Sequence, residues 1–137
     1  MQKFKFLEHT ADIKFQAFGN TLEEVFENST LALFEILSDE KVKGKKSYKI
    51  QVKGNDLENL LYNFLEEFLI LLDSKNFLPS RIKSLKLDEK NFKVKADVTG
   101  DDAKNYEIST HVKAITYNEM FIKKDKNKWK SQVVVDV

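Results

Sequence analysis

The sequence predicts an α+β fold, an antiparallel sheet with two helices packed on one face. Three observations carry this. Two segments, near 22–38 and 57–72, repeat apolar residues at helical spacing. The segments around them alternate apolar and polar residues with the period of two expected of strands with one wet face. After the second helix no helical pattern returns, and short alternating runs are separated by turn-forming clusters. Helices segregated among antiparallel strands, without a βαβ alternation, make an α+β domain.

Residues 3–8 alternate lysine with phenylalanine, and Ile13, Phe15 and Ala17 alternate with Lys14, Gln16 and Phe18. Gly19-Asn20 breaks this pair of strands. Thr21-Leu22-Glu23-Glu24 has the spacing of a capping box, in which a hydroxyl and a carboxylate satisfy the unpaired amides of a helix start. The helix it opens runs to about Ser38 and carries Leu22, Val25, Phe26, Leu33, Phe34 and Leu37 on one stripe. A charged loop, 39–46, leads to a strand through Tyr48, Ile50 and Val52 that Gly54 closes. Asn55 with Glu58 predicts a second cap. The helix beyond it, with Leu60, Leu61, Phe64, Leu65 and Phe68 on a broad stripe, is expected to be the more buried of the two. Pro79 lies past its end. Strands are then predicted through Ile82 to Leu87, Phe92 to Val98, Tyr106 to Ala114, Met120 to Ile122 and Trp129 to Val135. Breaks between them are expected at 88–91, 99–102 and 124–127.

At 137 residues the chain, 1–137, reads as one domain with a core large enough to need no staples. Its net charge of +1 offers no global field toward nucleic acid or membrane. The absence of cysteine excludes disulfides, thiolate metal sites and cysteine nucleophiles, and fits a reducing cytoplasm. No apolar run is long enough to span a membrane, and the start is amphipathic, unlike a signal peptide. A cytoplasmic location is the expectation. No Gly-x-Ser-x-Gly elbow and no phosphate-cradling glycine loop is present, and His9 and His111 lack the spacing of a zinc helix. No catalytic residue is therefore assigned, and the chain is not expected to be an enzyme.

The segments most suggestive of chemistry lie near the two ends of the chain. One is Glu8-His9-Thr10-Ala11-Asp12 and the other is Val133-Val134-Val135-Asp136-Val137. An apolar run is normally a buried strand, so Asp136 and the carboxylate of Val137 belong to a structured end. If the strands carrying Asp12 and Asp136 are neighbours, Asp12, Asp136 and Val137 converge. Three anionic groups repel one another unless a cation sits among them, and hard oxygen donors select Ca²⁺, Mg²⁺ or Mn²⁺. The alternative is a strand break at Asp12 and a solvated strand end at Asp136. Regular pleating would put Thr10 and Asp12 on one face and His9 and Ala11 on the other. Two lysine runs, 41–46 and 123–130, are read chiefly as solvated loops and strand gatekeepers, with contact to phosphates as the other reading.

Four segments in order resemble the archease family across essentially the whole chain. They are His9-Thr10-Ala11-Asp12-Ile13 with Gly19 and Thr21 to Phe26, then Leu60-Leu61 through Leu69 with Asp73. Lys113-Ala114-Ile115-Thr116-Tyr117 and the terminal Val134-Val135-Asp136-Val137 follow. The resemblance implies a small non-enzymatic cofactor of tRNA splicing. Such a protein assists the GTP- and Mn²⁺-dependent RNA ligase RtcB by promoting its guanylylation and multiple turnover. It also implies a chaperone-like role toward a tRNA methyltransferase, and a Ca²⁺ site at Asp12, Asp136 and Val137. The family's Lys-Ala-x-Thr-Tyr motif continues with His, where this chain has Asn118, a side chain that does not titrate near neutrality. A tRNA-binding module acting through the two lysine runs is the alternative function.

Overall fold

A computed structural model describes residues 2–9 and 11–137. Among the described residues, seven strands and two α-helices follow one another as β1 (Phe4–Leu7), β2 (Ile13–Gly19), α1 (Leu22–Leu37), β3 (Lys46–Lys53), α2 (Leu57–Lys75), β4 (Phe77–Asp88), β5 (Lys93–Asp102), β6 (Ala114–Asp125) and β7 (Lys128–Asp136). The α+β class holds, with the antiparallel strands distributed over two sheets. One is ordered β1-β2-β7-β6 and the other β3-β5-β4. Both helices pack against strands of both sheets. Their apolar stripes and the inner faces of the strands meet in one core containing Phe15, Phe26, Phe64, Phe68, Phe77 and Ile115.

The first cap forms as its spacing predicts. Thr21 Oγ1 accepts the Glu24 amide at 3.1 Å, while the Glu24 carboxylate accepts from the backbone of Asn20 at 3.2 Å. The second cap is shifted by one residue from Asn55 and Glu58. Asp56 accepts the Asn59 amide at 2.7 Å, and Asn59 Oδ1 accepts from Asn55 N–H at 2.9 Å. An aspartate caps as well as an asparagine, so spacing alone did not choose between neighbouring candidates. Contrary to the breadth of its stripe, α2 is the less enclosed helix. On α1 even Asn28, Ser29 and Thr30 are buried. Ser29 Oγ meets Ser131 Oγ of β7 at 2.8 Å, and Asn28 Nδ2 donates to Phe18 O at 2.6 Å. These polar groups are tolerated inside because each finds a partner.

Two strand predictions need correction. The break expected at 99–102 lies inside β5, where Gly100 faces Pro79 of edge strand β4 across the sheet. The stretch from Tyr106 to Lys113 is no strand, and His111 is accordingly an exposed loop residue. Its side chains do alternate between covered and exposed, but its backbone bonds go to other elements. Ser109 N donates to Leu37 O at 2.8 Å, Ser38 Oγ donates to Glu107 O at 2.9 Å, and Lys113 N donates to Asp136 O at 2.8 Å. Alternation reports an extended chain with one side covered; a ladder also requires a neighbouring strand edge. Tyr106 fastens the start of this stretch. Its hydroxyl donates to Asp101 Oδ2 at 2.7 Å and accepts from Lys43 N–H at 3.0 Å. That bond, followed by the Asp102 amide, holds the Asp101 carboxyl below the ordinary aspartate range.

Candidate functional site

The site follows from the register of β2 on β7. Ile13 lies opposite Val135, Lys14 opposite Val134 and Phe15 opposite Val133. That register ends at Ile13 and Val135, so Asp12 and Asp136 each lie one residue beyond it, at neighbouring ends of the two strands. On the other side of β7, Asp136 pairs with Ala114 of β6. Asp136 thus stands at the end of a central strand, between the entry to β2 and the entry to β6, with Val137 following it. Val133 to Val135 are fully buried, which anchors this end of the strand rigidly.

Residues 8, 9, 11 and 12 do not continue β1 or β2. Residues 11 and 12 form a bend; Thr10 lies outside the described residues. The bend removes the alternation expected of a strand and brings His9 to the same side as Asp12, with His9 Nδ1 4.0 Å from Asp12 Oδ2. His9 Nε2 is 3.0 Å from Glu119 Oε2, and Lys14 Nζ donates to Glu119 Oε1 at 3.1 Å. A carboxylate only accepts, so Nε2 carries the proton in the neutral ring and Nδ1 presents a lone pair toward Asp12. This nitrogen is buried and has no hydrogen-bond partner among the described residues.

Glu119 reaches His9 because β6 leaves its ladder. Pairing with β7 is interrupted between Thr116 and Phe121, and Glu119 takes a left-handed backbone conformation with φ of 55°. Such a conformation is unfavourable for a glutamate and persists where surrounding contacts over-determine it. The contacts are visible on both sides. Tyr117 stacks on Tyr62 of α2 with ring centroids 4.2 Å apart and planes 6° from parallel. Its hydroxyl also accepts from Asn59 Nδ2 at 2.6 Å. Inside the excursion, Gln132 Nε2 donates to the Glu119 carbonyl at 2.8 Å. Donation by His9, then by Lys14, with the lysine's charge, holds the Glu119 carboxyl below its ordinary range. Burial, and next the nearby Glu66, raises the Tyr62 phenol, which remains protonated at neutral pH.

The structure therefore brings Asp12 and Asp136 to neighbouring strand ends, with Val137 adjoining. Sequence reasoning missed Glu119 and Lys14, whose link to His9 requires a bulge more than a hundred residues further along the chain. No local pattern marks that contact. Asn118, beside them, is exposed, and its amide donates to Thr116 Oγ1 at 3.3 Å. Among the described residues no three His, Asp or Glu side chains cluster as a metal site. A cation at the tip would thus take oxygens from the two aspartates and from the main chain of Val137. Two aspartates at neighbouring strand ends, and beside Asp12 a buried His9 nitrogen with no partner among the described residues, are donors a positive charge would suit; hard oxygens favour an ion such as Ca²⁺.

Comparison with known proteins gives a consistent assignment. Residues 4–137 match the model of the Archease protein family (MTH1598/TM1083). The protein archease of Sulfurisphaera tokodaii is 42% identical over 140 residues, covering 100% of both chains. That of Methanosarcina acetivorans is 40% identical over 141 residues, covering 99% of this chain and 97% of the relative. The solution structure of Methanobacterium thermoautotrophicum protein 1598 superimposes with a TM-score of 0.84 at 32% identity over 100% of both chains. The crystal structure of an archease, possible chaperone, from Thermotoga maritima gives 0.69 at 28% identity, covering 97% of this chain and 96% of that one.

Proposed function

Since this chain belongs to the archease family, we propose that it is a non-enzymatic activator of an RtcB-type RNA ligase, acting in tRNA splicing through a cation held at its acidic tip. The observation that carries the reading is the juxtaposition of Asp12 and Asp136 at the ends of neighbouring strands. Asp12, Asp136 and Val137 main-chain oxygens would hold the ion, taken here as Ca²⁺. When bound, the ion supplies charge and further coordination positions for oxygens of a partner.

This chain's own residues do three things in that reading. β7, central in its sheet and hydrogen-bonded on both sides, holds Asp136 on a firm strand end beside the entry to β2. Glu119, tied to His9 and Lys14, holds the His9 ring against Asp12. Ca²⁺ takes six to eight oxygens, more than the tip provides, so positions remain for acidic or phosphate oxygens of the ligase. Binding there would favour the guanylylation-competent arrangement of the ligase's nucleotide and metal cleft. Among the described residues the site pairs no nucleophile with a general base, and the reading assigns this protein no bond chemistry of its own.

The test is single-turnover guanylylation of a cognate ligase with the wild-type protein and with Asp12→Ala. Stimulation should be lost in the variant while its circular dichroism spectrum and melting temperature stay close to wild type, because Asp12 contributes like-charge repulsion and no core packing. Equal stimulation by the two proteins would refute the assignment. The description of the Thermotoga relative as a possible chaperone supports a second reading, stabilisation of a client such as a tRNA methyltransferase. It predicts protection of that client from aggregation that is independent of Asp12.

A further inference from the structure

The outer face of the four-stranded sheet carries a second feature, at the end away from Asp12 and Asp136. The registers of its strands align residues in rows across the face. Phe18 lies opposite Lys130, and Lys130 opposite Lys123. The bond from Phe18 N–H to Lys3 O, 2.9 Å, adds Lys3 to that row. The adjacent row on the same face is Lys5, Gln16, Gln132 and Phe121. The core lies on the other side, where Phe15, Ala17, Ser131 and Val133 are fully buried; on this face Gln132 is covered too, bonded to Gln16 and to the Glu119 carbonyl, and the side chains around it are the open ones.

The lysines are organised around the rings. Lys5 Nζ is 5.8 Å and Lys130 Nζ 5.9 Å from the Phe18 centroid, and Lys123 Nζ is 4.4 Å from that of Phe121. Neither phenylalanine is enclosed, whereas Lys3, Lys5, Lys123 and Lys130 are exposed. No carboxylate occupies either row. Against a net charge of +1 for the whole chain, four cations in two adjacent rows make a strongly polarised patch.

We infer that this face binds single-stranded nucleic acid. The lysines would contact phosphates, and Phe18 and Phe121 would offer rings on which unpaired bases stack. Cations alone would serve any anionic partner. Half-exposed rings set among them add a surface for flat bases, which a duplex keeps inside its stack. The lysine run 123–130 takes part only through alternate residues, because the pleat sends Lys124 to the other side, near Trp129 at 5.8 Å. The run at 41–46 belongs to a different part of the molecule and has no role here.

Fluorescence anisotropy of the full chain with a labelled 12-nucleotide single-stranded RNA tests it. With about four phosphate contacts, a fourfold rise in monovalent salt should weaken binding about fiftyfold. Lys5→Glu combined with Lys130→Glu should weaken it at least tenfold. Phe18→Leu, which keeps an apolar side chain but removes the ring, should weaken it about tenfold. Lys41→Glu with Lys43→Glu should leave affinity within twofold of wild type, and circular dichroism should show all variants folded. Unlabelled duplex RNA and poly-glutamate should compete much less well than the single strand. Absence of binding at low salt, an equal loss in the Lys41/Lys43 variant, no loss in the sheet variants, or equal competition by duplex or poly-glutamate would each overturn the inference.

Discussion

His9 Nε2 lies 3.0 Å from Glu119 Oε2, joining residues 110 positions apart. The contact couples the bend that carries Asp12 to the bulge of β6, and Lys14 on β2 closes the same carboxylate from the other side at 3.1 Å. Because the hydrogen bond from His9 and then that from Lys14 lower the Glu119 pKa from 4.5, the contact has a definite pH signature. A carboxyl with a depressed folded-state pKa contributes stability above its unfolded pKa. That contribution is lost as pH falls through the lower folded value. Glu119→Gln should therefore lower the melting temperature slightly at pH 7, since the Glu119 side chain is 46% exposed. The difference from wild type should close on acidification below 4.5. Melting curves across this range check it; a difference that widens in acid would contradict the assignment.

The Tyr62–Tyr117 stack is the other fastening of the bulge. Tyr117→Ala should cost about 1 kcal/mol, the usual worth of an aromatic pair beyond its area, or about 4 °C in melting temperature for a domain of this size. Tyr117→Phe keeps the stack but removes the acceptor for Asn59 Nδ2, and should lose less. Thermal denaturation of the two variants separates the ring from the hydroxyl.

Gly100 tests how closely the three-stranded sheet is packed. A Cβ at this position would lie 2.2 Å from Leu78 O and 2.7 Å from atoms of the Phe77 ring. The backbone of the opposing strand cannot yield cheaply, so Gly100→Ala should destabilise by about 2–3 kcal/mol. A urea titration measures this as a lower midpoint with an unchanged slope.

At Val137 the proposed ligand is the main chain. Val137→Ile should be silent in Ca²⁺ affinity and in ligase activation. Deleting Val137, which removes its main-chain oxygens, should weaken both. Calorimetry with Ca²⁺ on wild type and the two variants decides it. Undiminished affinity after the deletion would remove Val137 from the ligand set.

Sequence alone determined the local structure: both helices, the first cap, most strands, and Asp12, Asp136 and Val137 as candidates. These depend on periodicity and on contacts within a few residues, which side-chain chemistry encodes directly. Tertiary structure decided what depends on which edge meets which. The alternation at 106–113 could not distinguish a ladder from an extended segment bonded to the end of α1. Nor could it bring Asp12 and Asp136 to neighbouring strand ends, which follows only once β2 and β7 pair in one register. A shift of that register by one residue would have turned Phe15 and Val133 outward, and burial of those side chains in the core excludes it. The pairings of the sheet likewise gathered Phe18, Lys130 and Lys123 from three strands into one row, with Lys3 just ahead of β1 at its end. They also brought Glu119 to His9 across a bulge with no local signature, because β6 leaves its ladder where Tyr117 finds Tyr62 on α2.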